Sequence, residues 1–166
     1  MRRTRVLTCT GIGLALALMA QSLRFFLPLP PGIGSQILIG SLVNLALVLT
    51  VHISGTVRAA GIGFLLPVAA FFQGQLPVLP MAPVVGVGNV VFAAIAGGLF
   101  WNSRLVWFVP VFKAALLYGG TRLVVQWFDL PDPAASALSL AMGAPQIVTG
   151  LAGIILAKAV ARRINQ

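Results

Sequence analysis

The sequence predicts an all-α integral membrane protein, a compact bundle of about six transmembrane helices with both termini cytoplasmic. Three observations carry that expectation. Hydrophobic residues make up 59% of the chain and charged residues only 8%, against about 25% charged in a typical soluble domain. Mean hydropathy is +1.03, so the polar residues needed to cover a globule with a wettable surface are missing. The apolar residues also fall in long runs, and a helix needs about 20 of them to cross the hydrocarbon core. At 166 residues the chain 1–166 has room for one transmembrane domain.

Six spans follow along the chain, at about 6–26, 36–53, 57–72, 84–100, 105–128 and 137–161. Turn chemistry separates them. Leu27-Pro28-Leu29-Pro30-Pro31-Gly32 breaks the first from the second. The Pro-rich stretch Gln73 to Pro80 breaks the third from the fourth, and Asp129-Leu130-Pro131-Asp132-Pro133 breaks the fifth from the sixth.

The charge balance is lopsided: eleven Lys and Arg against two acids, a formal net charge of +9. A nucleic-acid surface needs a continuous basic stripe, and none is present. Membrane orientation explains the basic residues better. Arg2, Arg3, Arg5, Arg58, Arg104, Lys158, Arg162 and Arg163 all fall at one side of a six-span chain, which the positive-inside rule makes cytoplasmic. Five or seven spans break that agreement. The two acids, Asp129 and Asp132, fall in an outer loop. The basic start and apolar run ending at Ala20 resemble a signal peptide. Leu18 nevertheless stands where cleavage wants a small residue, so the segment is expected to stay as the first span. Cys9 is alone, which excludes a disulfide within the chain.

Catalysis is hard to build from these residues, and no enzyme activity, metal or cofactor is expected. A hydrolase or transferase needs paired acids, a nucleophile with its base, or metal ligands. The single His52 lies at a cytoplasmic turn, and the two acids sit beside prolines in a loop. No GxxxxGK[ST] phosphate-binding loop is present, so ATP-driven transport needs other subunits. No Asp or Glu lies in a span, which weakens proton-coupled transport.

The polar residues inside the spans are the candidate site. Lys113 lies nine residues beyond Arg104, roughly 13 Å into the fifth span at 1.5 Å per residue. A charge at that depth is costly and marks function by default. Tyr118 and Arg122 share a face further out on the same helix, and Gln126 extends it. Asn44, Asn89 and Gln146 lie within the second, fourth and sixth spans, and Gln73 and Gln75 in the outer Pro-rich loop. Together they form a prospective polar pocket, open to the outside and positively charged. The structural alternatives are snorkelling of Arg24 and Arg122 to headgroups and interhelical hydrogen bonds for the amides. Trp101, Trp107 and Trp127 read as interface anchors.

In the first span, Gly11/Ala15 and Gly13/Ala17 are small residues four apart, which leave a groove for close helix contact. Pro67, Pro110 and Pro145 lie inside spans and permit kinks. No internal repeat is visible, which argues against an inverted-repeat transporter.

Gln21-Ser22-Leu23-Arg24, Gly40-Ser41-Leu42-Val43-Asn44 and Phe71-Phe72-Gln73-Gly74-Gln75-Leu76-Pro77 are distinctive pieces of the stretch from Gln21 to Phe100. With six short spans and no energy-coupling motif, this stretch resembles the substrate-capture (S) components of energy-coupling-factor transporters. Beyond it, the likeness is mainly hydropathy and length. The resemblance implies a six-helix fold that binds a vitamin or related small molecule from outside with high affinity. The capture subunit then docks on a separate transmembrane scaffold carrying two ATPases and topples to release its ligand. By position, the resemblance points to Gln73, Gln75, Asn89, Lys113, Tyr118, Arg122 and Gln146 as ligand contacts. Its first-helix Ala-x-x-x-Ala docking pattern corresponds to Gly11, Gly13, Ala15 and Ala17 in small-residue form. The basic lining suits a carboxylate or phosphate on the ligand. The expected setting is a prokaryotic plasma membrane, and no nucleic-acid partner is expected.

Two other readings stay open at this level. A self-sufficient channel or secondary transporter predicts transport by the chain alone. A structural protein of the cell envelope predicts no tight ligand.

Overall fold

A computed structural model describes residues 2–27, 32–99 and 101–164. The helices are α1 (Arg2–Phe26), α2 (Ile33–Ser54), α3 (Thr56–Phe72), α4 (Met81–Phe92), α5 (Val109–Trp127), α6 (Asp132–Ala141) and α7 (Ala144–Ile164). A π-helical stretch, Ala93–Leu99, continues α4, and a 3-10 turn, Arg104–Phe108, leads into α5. Among the described residues there is no strand.

With α6 and α7 taken as one broken segment, six segments make the bundle. Five are long and apolar enough to cross a membrane, and α3, at 17 residues, is shorter. Short connections make successive segments alternate in direction. Side-chain bonds fix the two ends. At one end Gln21 of α1 meets Gln73 beyond α3, and Gln36 of α2 meets the Ala141 carbonyl. At the other, where α1 begins and α7 finishes, Lys158 donates to the Trp101 carbonyl at 2.9 Å. We call these the mouth end and the termini end.

Helix α2 is the central post, packed on α1, α3, α7 and the π stretch. Its residues carry two apolar clusters. Leu47 and Val51 meet Ala17, Ile62 and Leu66, and Val48 meets Phe92, Val106 and Ile154. A third cluster, with Leu76, Met81, Leu117 and Leu138, packs the mouth end on the far side. The outer surface is apolar as well: Val57 is 85% exposed, Phe72 81% and Trp127 77%. Apolar faces of that extent mark contact with a membrane or a partner protein.

The helix ends follow local chemistry. Gly74, at φ +67°, closes α3 in a Schellman turn: its N–H meets the Phe71 carbonyl, and the Gln75 N–H reaches the Ala70 carbonyl, each at 2.9 Å. That turn folds the Gln73–Gln75 segment back over the bundle. Asp129 closes α5 in the same way at φ 46°, with Leu130 N–H on the Val125 carbonyl. A short polar side chain tolerates this left-handed conformation. Asp132 sits in the first turn of α6, where the helix dipole favours an anion. Both acids thus have structural positions.

The expected third and fifth spans coincide closely with α3 and with the 3-10 turn plus α5. The expected sixth span, 137–161, is longer than foreseen and broken: it starts at Asp132 and turns at Met142 and Gly143. Pro145 supplies no N–H to the Ala141 carbonyl, so the helix stops and restarts there. Pro28, Leu29, Pro30 and Pro31 of the expected first break lie outside the described residues, as does Phe100 at the end of the expected fourth span.

Candidate ligand-binding site

Inside the mouth half of the bundle lies a cavity of about 530 Å³, within the roughly 300–1,000 Å³ of small-molecule sites. All six segments contribute to its wall. Most of it is apolar, through Ile39, Val43, Leu66, Val85, Leu138 and Met142. Polar groups are few and grouped at two levels.

Lys113 occupies the deep level. It is 3% exposed and donates to Asn44 Oδ1 at 2.8 Å and Asn89 Oδ1 at 2.9 Å. Its Nζ also stands 4.7 Å from the centre of the Phe92 ring, close enough for a cation–π contact. Neither acid of the chain is among its partners. The ammonium therefore rests on neutral oxygens contributed by two other helices, inside the bundle, where a buried charge is expensive. Close packing brings those helices in. Gly63 faces Asn89, where a Cβ would come 3.1 Å from the Asn89 Cβ, and Gly153 faces Asn44, where it would come 2.5 Å from the Asn44 Cβ.

Two prolines explain further polar contacts. Pro67 has no N–H to bond the Gly63 carbonyl one turn back. Asn89 Nδ2 takes that carbonyl at 3.2 Å, so the Asn89 amide links the α3 backbone to Lys113. Pro145 leaves the Ala141 carbonyl free in the same way. Gln36 Nε2 reaches across from α2 to take it at 2.7 Å, and Gln146 Nε2 lies at 3.2 Å. Irregular backbone with side-chain substitutes is tolerated in apolar helices where it lines a cavity.

The mouth level is a network of amides beside a cation. Gln73 Oε1 accepts from Gln21 Nε2 at 2.9 Å and from Gln75 Nε2 at 3.1 Å, while Gln75 also donates to the Gln21 carbonyl at 2.6 Å. Arg24 lines the cavity on the α1 side. Among the described residues its single bond is long, 3.4 Å from Nη2 to Ser35 Oγ. Its buried Nε has no partner among the described residues.

Of the seven residues expected to contact ligand, Gln75, Asn89, Lys113 and Gln146 line the cavity. Gln73 stands behind Gln75 and holds it. Tyr118 and Arg122 do not join them; they are exposed on the outer face of α5. At roughly 100° per residue they lie about 140° and 180° around the helix from Lys113. The cavity also takes Gln21, Arg24, Gln36 and Asn44, which were not among the seven. Their signal was one polar group per turn or two on otherwise apolar helices.

The four small residues of α1 divide. Gly13 and Ala17 are buried, and a Cβ on Gly13 would collide with Thr50 of α2. Gly11 and Ala15 are exposed, with open space beside Gly11. At the termini end, Lys158 stands over the rings of Trp101 and Trp107, at 5.1 and 5.4 Å, and His52 packs on Trp101 at 3.9 Å. Among the described residues no three His, Cys, Asp or Glu side chains converge. Comparison with family models, with curated proteins and with solved structures gives no match for this chain.

Proposed function

We propose that the chain is a multi-pass membrane protein that captures a small molecule, acting as the substrate-binding subunit of an energy-coupling-factor type importer. The cavity carries this reading: a chamber of about 530 Å³ with apolar walls, at whose floor a buried Lys113 is held by two amides. An uncompensated buried cation is expensive to keep, and a ligand that pairs with it supplies a reason to keep it.

Orientation follows the same reading. The termini end carries Arg3, Arg5, Arg58, Arg104, Lys158, Arg162 and Arg163, while both acids lie at the mouth end. The positive-inside rule puts the termini in the cytoplasm and the mouth outside. Below Lys113 the bundle is filled by Phe92, Val106, Val109 and Ile154, all 3% exposed or less. A chamber closed at its floor suits capture better than conduction. The chain holds no phosphate-binding loop, so release needs a separate scaffold and two ATPases, for which the exposed Gly11/Ala15 face of α1 is the proposed docking site.

Reconstitution tests this. In liposomes the chain alone is expected to bind one member of a labelled vitamin panel without accumulating it, and uptake to appear only with scaffold and ATPases added. Accumulation by the chain alone would contradict the proposal.

A further inference from the structure

Hydrogen-bond bookkeeping at the cavity floor restricts the chemistry of the occupant. A lysine side chain can donate but, when charged, cannot accept. Its two bonds therefore oblige Asn44 and Asn89 each to turn an oxygen toward it, which fixes both amide orientations. Asn89 Nδ2 is then spent on the Gly63 carbonyl. Asn44 Nδ2 has no bond to any described residue, although Asn44 is 2% exposed and lines the cavity. Lys113 has three N–H groups and uses two. The floor thus offers two unused donors, Asn44 Nδ2 and the third Lys113 N–H, while the oxygens of both amides are already taken.

The mouth level repeats the pattern with Arg24: among the described residues its buried Nε has no partner and its one bond is the long one to Ser35. Ser35 and Asn44 are nine positions apart on α2, so the two donor groups are separated by roughly 13 Å along the helix axis. Between them the α2 wall is mainly apolar, through Ile39, Gly40 and Val43, with the Gln36 amide next to the mouth level. Hydrogen bonds of about 2.8–3.0 Å at each end leave roughly 8 Å between the terminal polar atoms of the occupant.

We infer that the occupant is an elongated small molecule with an apolar middle, carrying a carbonyl or carboxylate oxygen that Lys113 and Asn44 hold at the floor and an anionic group that Arg24 holds at the mouth. This rests on the capture reading and narrows it. Charge opposes a cationic group at both levels, and a ligand that brings a donor to the floor would leave buried N–H groups facing N–H groups. A membrane fatty acid shares the carboxylate and the apolar body, but its far end is apolar and would leave Arg24 unpaired.

The test uses the full chain, purified in a non-ionic detergent and stripped of bound small molecules. Heptanedioate, nonanedioate, 1,7-diaminoheptane and hexadecanoate are titrated with calorimetry and tryptophan-monitored unfolding as readouts. The dicarboxylates are expected to bind and to raise the unfolding temperature, and the diamine to do neither. Lys113→Met and Arg24→Gln are each expected to weaken dicarboxylate binding by roughly tenfold or more, the loss of one charge-assisted bond. Should Lys113→Met fail to fold, Arg24→Gln, at the half-exposed mouth, carries the test. Binding of the diamine, dicarboxylate affinity unchanged in Arg24→Gln, or no dicarboxylate binding at all would overturn the inference. So would hexadecanoate binding more tightly than the dicarboxylates and indifferent to Arg24→Gln, which would make the occupant a membrane lipid. A neutral or cationic vitamin bound from the labelled panel would overturn the inference and leave the capture reading standing. Failure of both series would remove both.

Discussion

Asn89 Nδ2 donates to the Gly63 carbonyl at 3.2 Å, the carbonyl that Pro67, one turn on, has no N–H to bond. A helix defect is thereby turned into a fixed orientation for the amide whose oxygen, 2.9 Å away, accepts from Lys113. Backbone irregularity and the buried charge are parts of one arrangement.

That arrangement predicts a coupling. Asn89→Leu strands the Gly63 carbonyl and removes one of the two Lys113 acceptors. Pro67→Ala restores the N–H that bonds the carbonyl within α3. Combining them is expected to recover part of the Asn89→Leu loss. The cycle should show a coupling of roughly 1 kcal/mol, the scale of interhelical hydrogen bonds in membrane proteins. Thermal or denaturant unfolding of the four variants in detergent measures it, and strict additivity would speak against the link.

Lys113→Met keeps the length of the side chain and removes the charge. The bundle is expected to stay folded, since relieving a buried cation offsets the lost amide bonds. Ligand affinity should fall by more than about tenfold. Size-exclusion behaviour and binding of the identified ligand check both halves. A folded variant with full affinity would deprive Lys113 of its role.

The split of the α1 small residues separates folding from docking. Gly13→Val drives a side chain into Thr50 and is expected to destabilise the isolated chain by roughly 1–3 kcal/mol, as overpacking does. Gly11→Leu meets open space and should leave the unfolding temperature unchanged while blocking co-purification with the scaffold. Destabilisation by Gly11→Leu, or docking unaffected by it, would count against the proposed face.

The proposed orientation is open to labelling in intact cells. With Cys9→Ala as background, Pro77→Cys at the mouth end is expected to react with a membrane-impermeant maleimide. Asn102→Cys at the termini end should react only after permeabilisation. The reverse pattern would invert the bundle.

Hydropathy made the helical architecture legible, because long apolar runs between Pro- and Gly-rich breaks leave few alternatives. The break at Met142 and Gly143 was less visible. Pro145 announces it, but hydropathy runs through it unchanged. The π stretch Ala93–Leu99 had no signal beyond small residues, since its width is set by packing on α2. At the site, Lys113 stood out by depth alone. That Asn44 and Asn89 both turn to it depends on Gly153 and Gly63 on other helices, which no local pattern relates. Tyr118 and Arg122 are the instructive case. They share a face with each other, but helical periodicity puts that face opposite Lys113. Arg24 reads equally well as a headgroup anchor until its side chain is placed at the cavity wall, its buried Nε without a partner among the described residues.

Native mass spectrometry of the detergent-purified chain tests the capture reading most directly. A retained molecule of vitamin size, released by Lys113→Met while the bundle stays folded, is the predicted result. A chain that comes through empty, and stays empty across a vitamin panel after any endogenous molecule has been stripped, would contradict it.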